Sequence, residues 1–85
     1  MDNLSIPIGT VVEIKNSDLR VIIVGYGGID GDTNEKFDYI SFPYPRGFIN
    51  RKYTLLFNKD KIGKILFEGY KDSSYKKMLE VASKK

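Results

Sequence analysis

Apolar and polar positions alternate over short stretches of this chain, and the alternation predicts strands for most of its length. From Thr10 to Lys15, Val12 and Ile14 fall on one face and Val11, Glu13 and Lys15 on the other. Asn16-Ser17-Asp18 is a turn cluster of residues whose side chains bond their own backbone. Arg20 to Tyr26 follows as a second strand. Its run Val21-Ile22-Ile23-Val24 is apolar without alternation, so it is expected to be central and covered on both faces. The two strands are expected to pair as an antiparallel hairpin. Gly25 to Glu35, with four glycines among Asp30, Asp32 and Asn34, is a long polar connection.

The third strand, Phe37 to Phe42, is stopped by Pro43 and Pro45, which lack the N–H that a sheet ladder requires. Arg46-Gly47 supplies the turn that sends the chain away. Tyr53 to Phe57 resumes strand character, and residues 58–62 have room for one short helical turn with Asn58 as its cap. Lys64 to Glu68 is a last strand, with Ile65 and Phe67 sharing a face. Asp72 then caps a helix running to about Ser83, with Tyr75, Met78, Leu79 and Ala82 on one stripe.

These elements predict an α+β, mainly β domain: a small bent antiparallel sheet, or an SH3-like partly open barrel, of about five strands with a C-terminal helix. Closing the sheet would hide strand edges; the alternative is an open meander with the helix across one face. The expected core is Val12, Ile14, Val21, Ile23, Ile40, Phe42, Leu55, Phe57, Ile65 and Phe67. A single domain over residues 1–85 is expected, its core within 6–83 and its termini short and flexible.

Composition narrows the chemistry. The 85 residues contain neither cysteine nor histidine, which removes disulfides, thiolate metal sites and the commonest general base. Ser41 and the other serines have no histidine to activate them, so no catalytic residue is assigned and no enzyme is expected. Asp30 to Glu35 begins like a calcium loop. It then places Glu35 where the sharp turn needs glycine and Ser41 where a bidentate glutamate is needed, so no metal or other cofactor is expected. Gly25-Tyr26-Gly27-Gly28 follows a strand as a phosphate-binding turn would, but no helix N-terminus follows it. The longest apolar run is far too short to span a bilayer and no signal-peptide pattern opens the chain, so a cytoplasmic protein without membrane insertion is expected.

The net charge of +3 comes from the last segment, where Lys71, Lys76, Lys77, Lys84 and Lys85 face only Asp72 and Glu80. Through Tyr70 the charges balance. Tyr26, Phe37, Tyr39, Tyr44 and Tyr53 offer rings on which bases could stack, yet the balanced strand region lacks the phosphate-binding charge that dominates nucleic-acid affinity. A small nucleic-acid-binding barrel is therefore an alternative, and nucleic acid is not the expected partner. The turn Tyr44-Pro45-Arg46-Gly47-Phe48 combines large aromatics and an arginine on a backbone stiffened by prolines. Tyr44, Pro45, Arg46 and Phe48 are thus the candidate partner-binding residues.

Four motifs add a resemblance. They are Pro7-Ile8-Gly9-Thr10-Val11-Val12, Asp38-Tyr39-Ile40 leading to Tyr44-Pro45-Arg46-Gly47, Phe57-Asn58 through Asp60 to Ile62, and Phe67-Glu68-Gly69-Tyr70-Lys71-Asp72. In this order they resemble a small Gram-positive family of unknown function, over about residues 6 to 80. The resemblance implies genes lying in type VII secretion clusters beside LXG-class toxins, small helical partners and immunity proteins. It implies a toxin-associated accessory factor or chaperone that binds a secreted toxin, or its helical companion, before export, with no small-molecule substrate. An immunity protein for the neighbouring toxin is the other role such company allows. No catalytic residues belong to the family pattern. The Gly-Asp loop at residues 27 to 35 is longer than the pattern.

Overall fold

The computed structural model describes residues 6–83, so Lys84 and Lys85 lie outside the described residues. Strands β1 (Val11–Ile14) and β2 (Arg20–Ile29) form the expected antiparallel hairpin, and β3 (Lys36–Pro43) pairs antiparallel with β2. Strand β4 (Leu55–Phe57) adds to β3, and β5 (Ile62–Phe67) adds to the far side of β1. The order β4-β3-β2-β1-β5 leaves the sheet open, with β4 and β5 as its edges. Of the two forms expected, the open antiparallel sheet is the one observed. Helix α1 (Ser73–Ser83) ends the chain, and the Asp72 carboxylate accepts the Tyr75 N–H at 3.2 Å as its cap. Tyr75, Met78 and Leu79 are half-buried on its stripe; the side chain of Ala82 lies outside the described ones.

The inner face of the sheet carries the core. Val12 pairs with Val21, Ile23 with Ser41, and Tyr39 with both Tyr26 and Phe57. Val12, Val21, Ile23, Tyr39 and Phe57 are buried, with Ile6 closing over them and Ile14, Tyr26, Leu55 and Ile62 packed around. The Tyr26 hydroxyl donates to the Ile6 carbonyl at 2.5 Å, fixing the segment before β1 across this face. Thr10 ties the two ends of the fold together: its hydroxyl donates to the Pro7 carbonyl at 2.7 Å and accepts the Gly69 N–H at 2.9 Å.

Several expectations are corrected. Strand β2 carries an extra residue, Val24, between the pairs Ile23–Ser41 and Gly25–Ile40. The bulge sets Tyr26 opposite Tyr39. The face of β3 is fixed before it, because the buried Ile23 pairs with Ser41, so Tyr39 and Ser41 face the core while Ile40 and Phe42 are only half-buried. Ser41 is tolerated there because its hydroxyl donates to the Leu55 carbonyl at 3.0 Å. Strand β5 carries two extra residues: Gly63 between the pairs Glu13–Lys64 and Ile14–Ile62, and Leu66 between Val11–Phe67 and Val12–Ile65. Ile65 and Phe67 therefore oppose adjacent residues of β1 and do not share a face. Both are exposed, Phe67 to 64%, where burial was expected.

The strand limits also move. The glycines at 25, 27 and 28 belong to β2, which runs to Ile29, so the polar connection shrinks to residues 30–35. Gly28 is required by a close approach, since a Cβ there would stand 2.8 Å from both Ile40 and Leu56 side chains. Residues Arg51–Tyr53 form a 3-10 turn, and β4 begins only at Leu55. Asn58 stands at the N-cap of the next 3-10 turn, but its side chain makes no capping bond there. Its side-chain oxygen accepts the Asp38 N–H at 3.0 Å, while the Asp38 carboxylate accepts the Lys59 N–H at 2.9 Å. That reciprocal pair clamps the end of β4 to β3.

Candidate protein-interaction surface

The outer face of the sheet is apolar along one cross-strand row. Phe67 of β5 pairs with Val11 of β1, Val11 with Ile22 of β2, and Ile22 with Phe42 of β3. Phe48 extends the row, its ring 5.2 Å from that of Phe42 and tilted by 60°. Phe67 and Phe48 stand at the two ends, and Phe48 is 60% exposed. Beside this row lies a polar one, Lys64–Glu13–Arg20, whose last guanidinium sits 5.4 Å from the Tyr44 ring centroid.

The turn after β3 is tied back to β2 and to itself. The Tyr44 N–H donates to the Arg20 carbonyl at 3.0 Å and the Gly47 N–H to the Pro43 carbonyl at 2.7 Å. Gly47 has φ +76°, a conformation that favours glycine, and the Tyr44–Pro45 peptide is cis. The candidate residues do not form one patch. Phe48 joins the outer row on Phe42, Tyr44 lies under Arg20, and Pro45 is exposed at the tip. Arg46 instead lines a groove of about 590 Å³, with Leu19, Pro43, Ile49, Lys52, Tyr53 and Leu55 among its walls.

A second hollow of about 720 Å³ lies nearby, with Ile29, Asp30, Asp32, Phe37, Arg51 and Lys52 among its lining residues. The carboxylate of Asp30 is already engaged there, accepting the N–H groups of Asp32 at 2.8 Å and Thr33 at 3.3 Å. That Asx turn is the structural content of the calcium-like sequence. Among the described residues no group of three or more metal-binding side chains comes together. The proposed base-stacking rings are dispersed too: Tyr39 is buried, Tyr26 and Phe37 are half-buried, and only Tyr44 and Tyr53 are exposed. Burial raises the phenol pKa of Tyr26, with a smaller push from Tyr75, and burial also raises that of Tyr75.

Sequence reasoning missed the groove and the exposed row. A signal for the first was present, because the chain from Tyr39 to Asn58 carries Arg46, Arg51 and Lys52 but no carboxylate. Averaging charge over the whole strand region concealed it.

A family described as a domain of unknown function, DUF4176, matches residues 5–78. The chain belongs to this DUF4176 family. The match spans every strand and runs into helix α1. No curated protein and no solved structure matches the chain. No helix among the described residues is long and apolar enough to cross a membrane.

Proposed function

We propose that the chain is a non-enzymatic protein-interaction module, acting in the cytoplasm as an accessory factor or chaperone for a type VII-secreted LXG-class toxin before export. The observation that carries the interaction reading is the outer row Phe67–Val11–Ile22–Phe42–Phe48. An apolar row crossing four strands, exposed at both ends, is surface that a monomer gains by covering. Fully burying one such phenylalanine contributes roughly 1.5–3 kcal/mol. The toxin and its timing rest on the resemblance of the Pro-Ile-Gly, Asp-Tyr, Tyr-Pro-Arg-Gly and Phe-Glu-Gly-Tyr motifs to proteins encoded beside such toxins.

The test is co-expression with the toxin encoded in the same cluster, split into N-terminal and C-terminal halves. An accessory factor acting before export retains the N-terminal half, and a Phe48→Glu, Phe67→Glu variant releases it. Retention of the C-terminal toxic half alone would identify an immunity protein instead. Retention of neither half would remove the toxin reading.

A further inference from the structure

The groove beside the turn has a chemistry of its own. Most of its lining is apolar, from Leu19, Val21, Pro43, Ile49, Tyr53 and Leu55. Arg46 and Lys52 are its charged lining residues, and no carboxylate lines it. The neighbouring hollow differs, since Asp30 and Asp32 stand there with Arg51 and Lys52 and supply its own countercharge. Two cations beside apolar walls are a standing electrostatic demand. A guanidinium takes a carboxylate through two parallel hydrogen bonds.

We infer that this groove binds an acidic, amphipathic peptide segment of a protein partner. Its apolar side chains seat on Pro43, Leu55 and Ile49, and its Asp or Glu carboxylates meet Arg46 and Lys52. The volume of about 590 Å³ accommodates a few side chains and lies within the roughly 300–1,000 Å³ of ordinary ligand pockets. A nucleic-acid strand would also bring anions, but the walls are mainly aliphatic, with Tyr53 as the one aromatic ring, and base stacking needs such rings. This inference rests on the reading of the chain as a protein-interaction module and names the chemistry of what it takes.

The test uses the full chain and a fluorescein-labelled peptide of Glu-Leu-Glu-Phe repeats, followed by fluorescence anisotropy. Saturable binding is expected, weaker by at least about tenfold when every Glu of the peptide is replaced by Gln, because pairing of closely placed charges carries much of such an interface. A similar loss is expected with Arg46→Glu, Lys52→Glu. Both side chains are exposed, and the neutral pair Arg46→Gln, Lys52→Gln is run beside it, so a melting change in one variant leaves the other to decide. Equal binding of the Glu and Gln peptides, or no effect of either double substitution, overturns the inference. Displacement by decanoate or by oligouridylate at the peptide's own concentration also overturns it, in favour of a small amphiphilic carboxylate or a nucleic acid. Toxin retained at full strength by the charge-reversed protein would remove the groove and leave the interaction reading standing. Peptide binding by a wild-type chain that retains no toxin would leave the groove standing and remove the toxin reading.

Discussion

The inner face of the sheet presents Val12, Val21, Ile23, Tyr39 and Phe57, each closed off from water, whereas the outer row presents exposed Phe48 and Phe67 at its ends, half-buried Ile22 and Phe42, and a buried Val11. The two sets are similar in hydrophobicity, so composition alone would place both in a core. What separates them is covering material. Ile6 folds across the inner face and is held there by the Tyr26 hydroxyl. Tyr75 of helix α1 adds to the upward shift that burial gives the Tyr26 phenol. The exposed rings at both ends of the outer row show that no described segment closes over them. One face is closed over and the other is left partly open to solvent.

Breaking the inner face should therefore cost most. Ile23 is fully buried at the centre of the sheet, and Ile23→Ala should destabilise the domain by about 2–5 kcal/mol through lost burial and the cavity left behind. Small domains hold roughly 5–15 kcal/mol in total, so urea denaturation should show the midpoint falling steeply. A loss under about 1 kcal/mol would mean that the inner face is not the core.

Phe67 offers the contrasting measurement. Were it a core residue, Phe67→Ala would cost about 3–5 kcal/mol. With 64% of its surface exposed, the same change should stay within about 1 kcal/mol, as surface substitutions do. The same denaturation experiment decides between these values, and a large loss would place Phe67 inside.

The error over Phe67 shows where the sequence becomes illegible. Counting alternate residues works while partner strands keep step, and β1 and the first half of β2 do. Val12, Val21 and Ile23 are core residues as their spacing implies. Each bulge then adds one residue that periodicity cannot foresee, because its cause is the pairing geometry of another strand. Gly63 and Leu66 divide β5, and in β3 it is the pairing of Ser41 with Ile23, invisible from β3 alone, that sets the inward face. Local signals survived better. The Asp72 cap, the proline stop after β3 and the Gly47 turn depend on neighbours in the chain and are found where expected. The groove was invisible for the opposite reason, since its walls come from three separate stretches around Leu19, Pro43 and Tyr53.

The smallest effect concerns the cover of the inner face, and pH reaches it. Burial raises the Tyr26 phenol above its ordinary value, with Tyr75 adding to the shift, and the neutral hydroxyl donates to the Ile6 carbonyl. An acid whose folded pKa lies above its unfolded value of about 10 favours folding while it stays protonated. That contribution is whole below pH 10 and is lost as pH rises through the folded value, because the phenolate is poorly solvated there and cannot donate to Ile6. The melting temperature should accordingly decline above about pH 10. Tyr26→Phe should melt lower at neutral pH, having lost a hydrogen bond worth roughly 0.5–1.5 kcal/mol. Its alkaline decline should nevertheless be shallower, with Tyr75 accounting for part of what remains. Melting curves of the two proteins from neutral to strongly alkaline pH should thus converge. Parallel curves would mean that ionisation of Tyr26 does not loosen the segment at Ile6, and that packing alone holds the inner face closed.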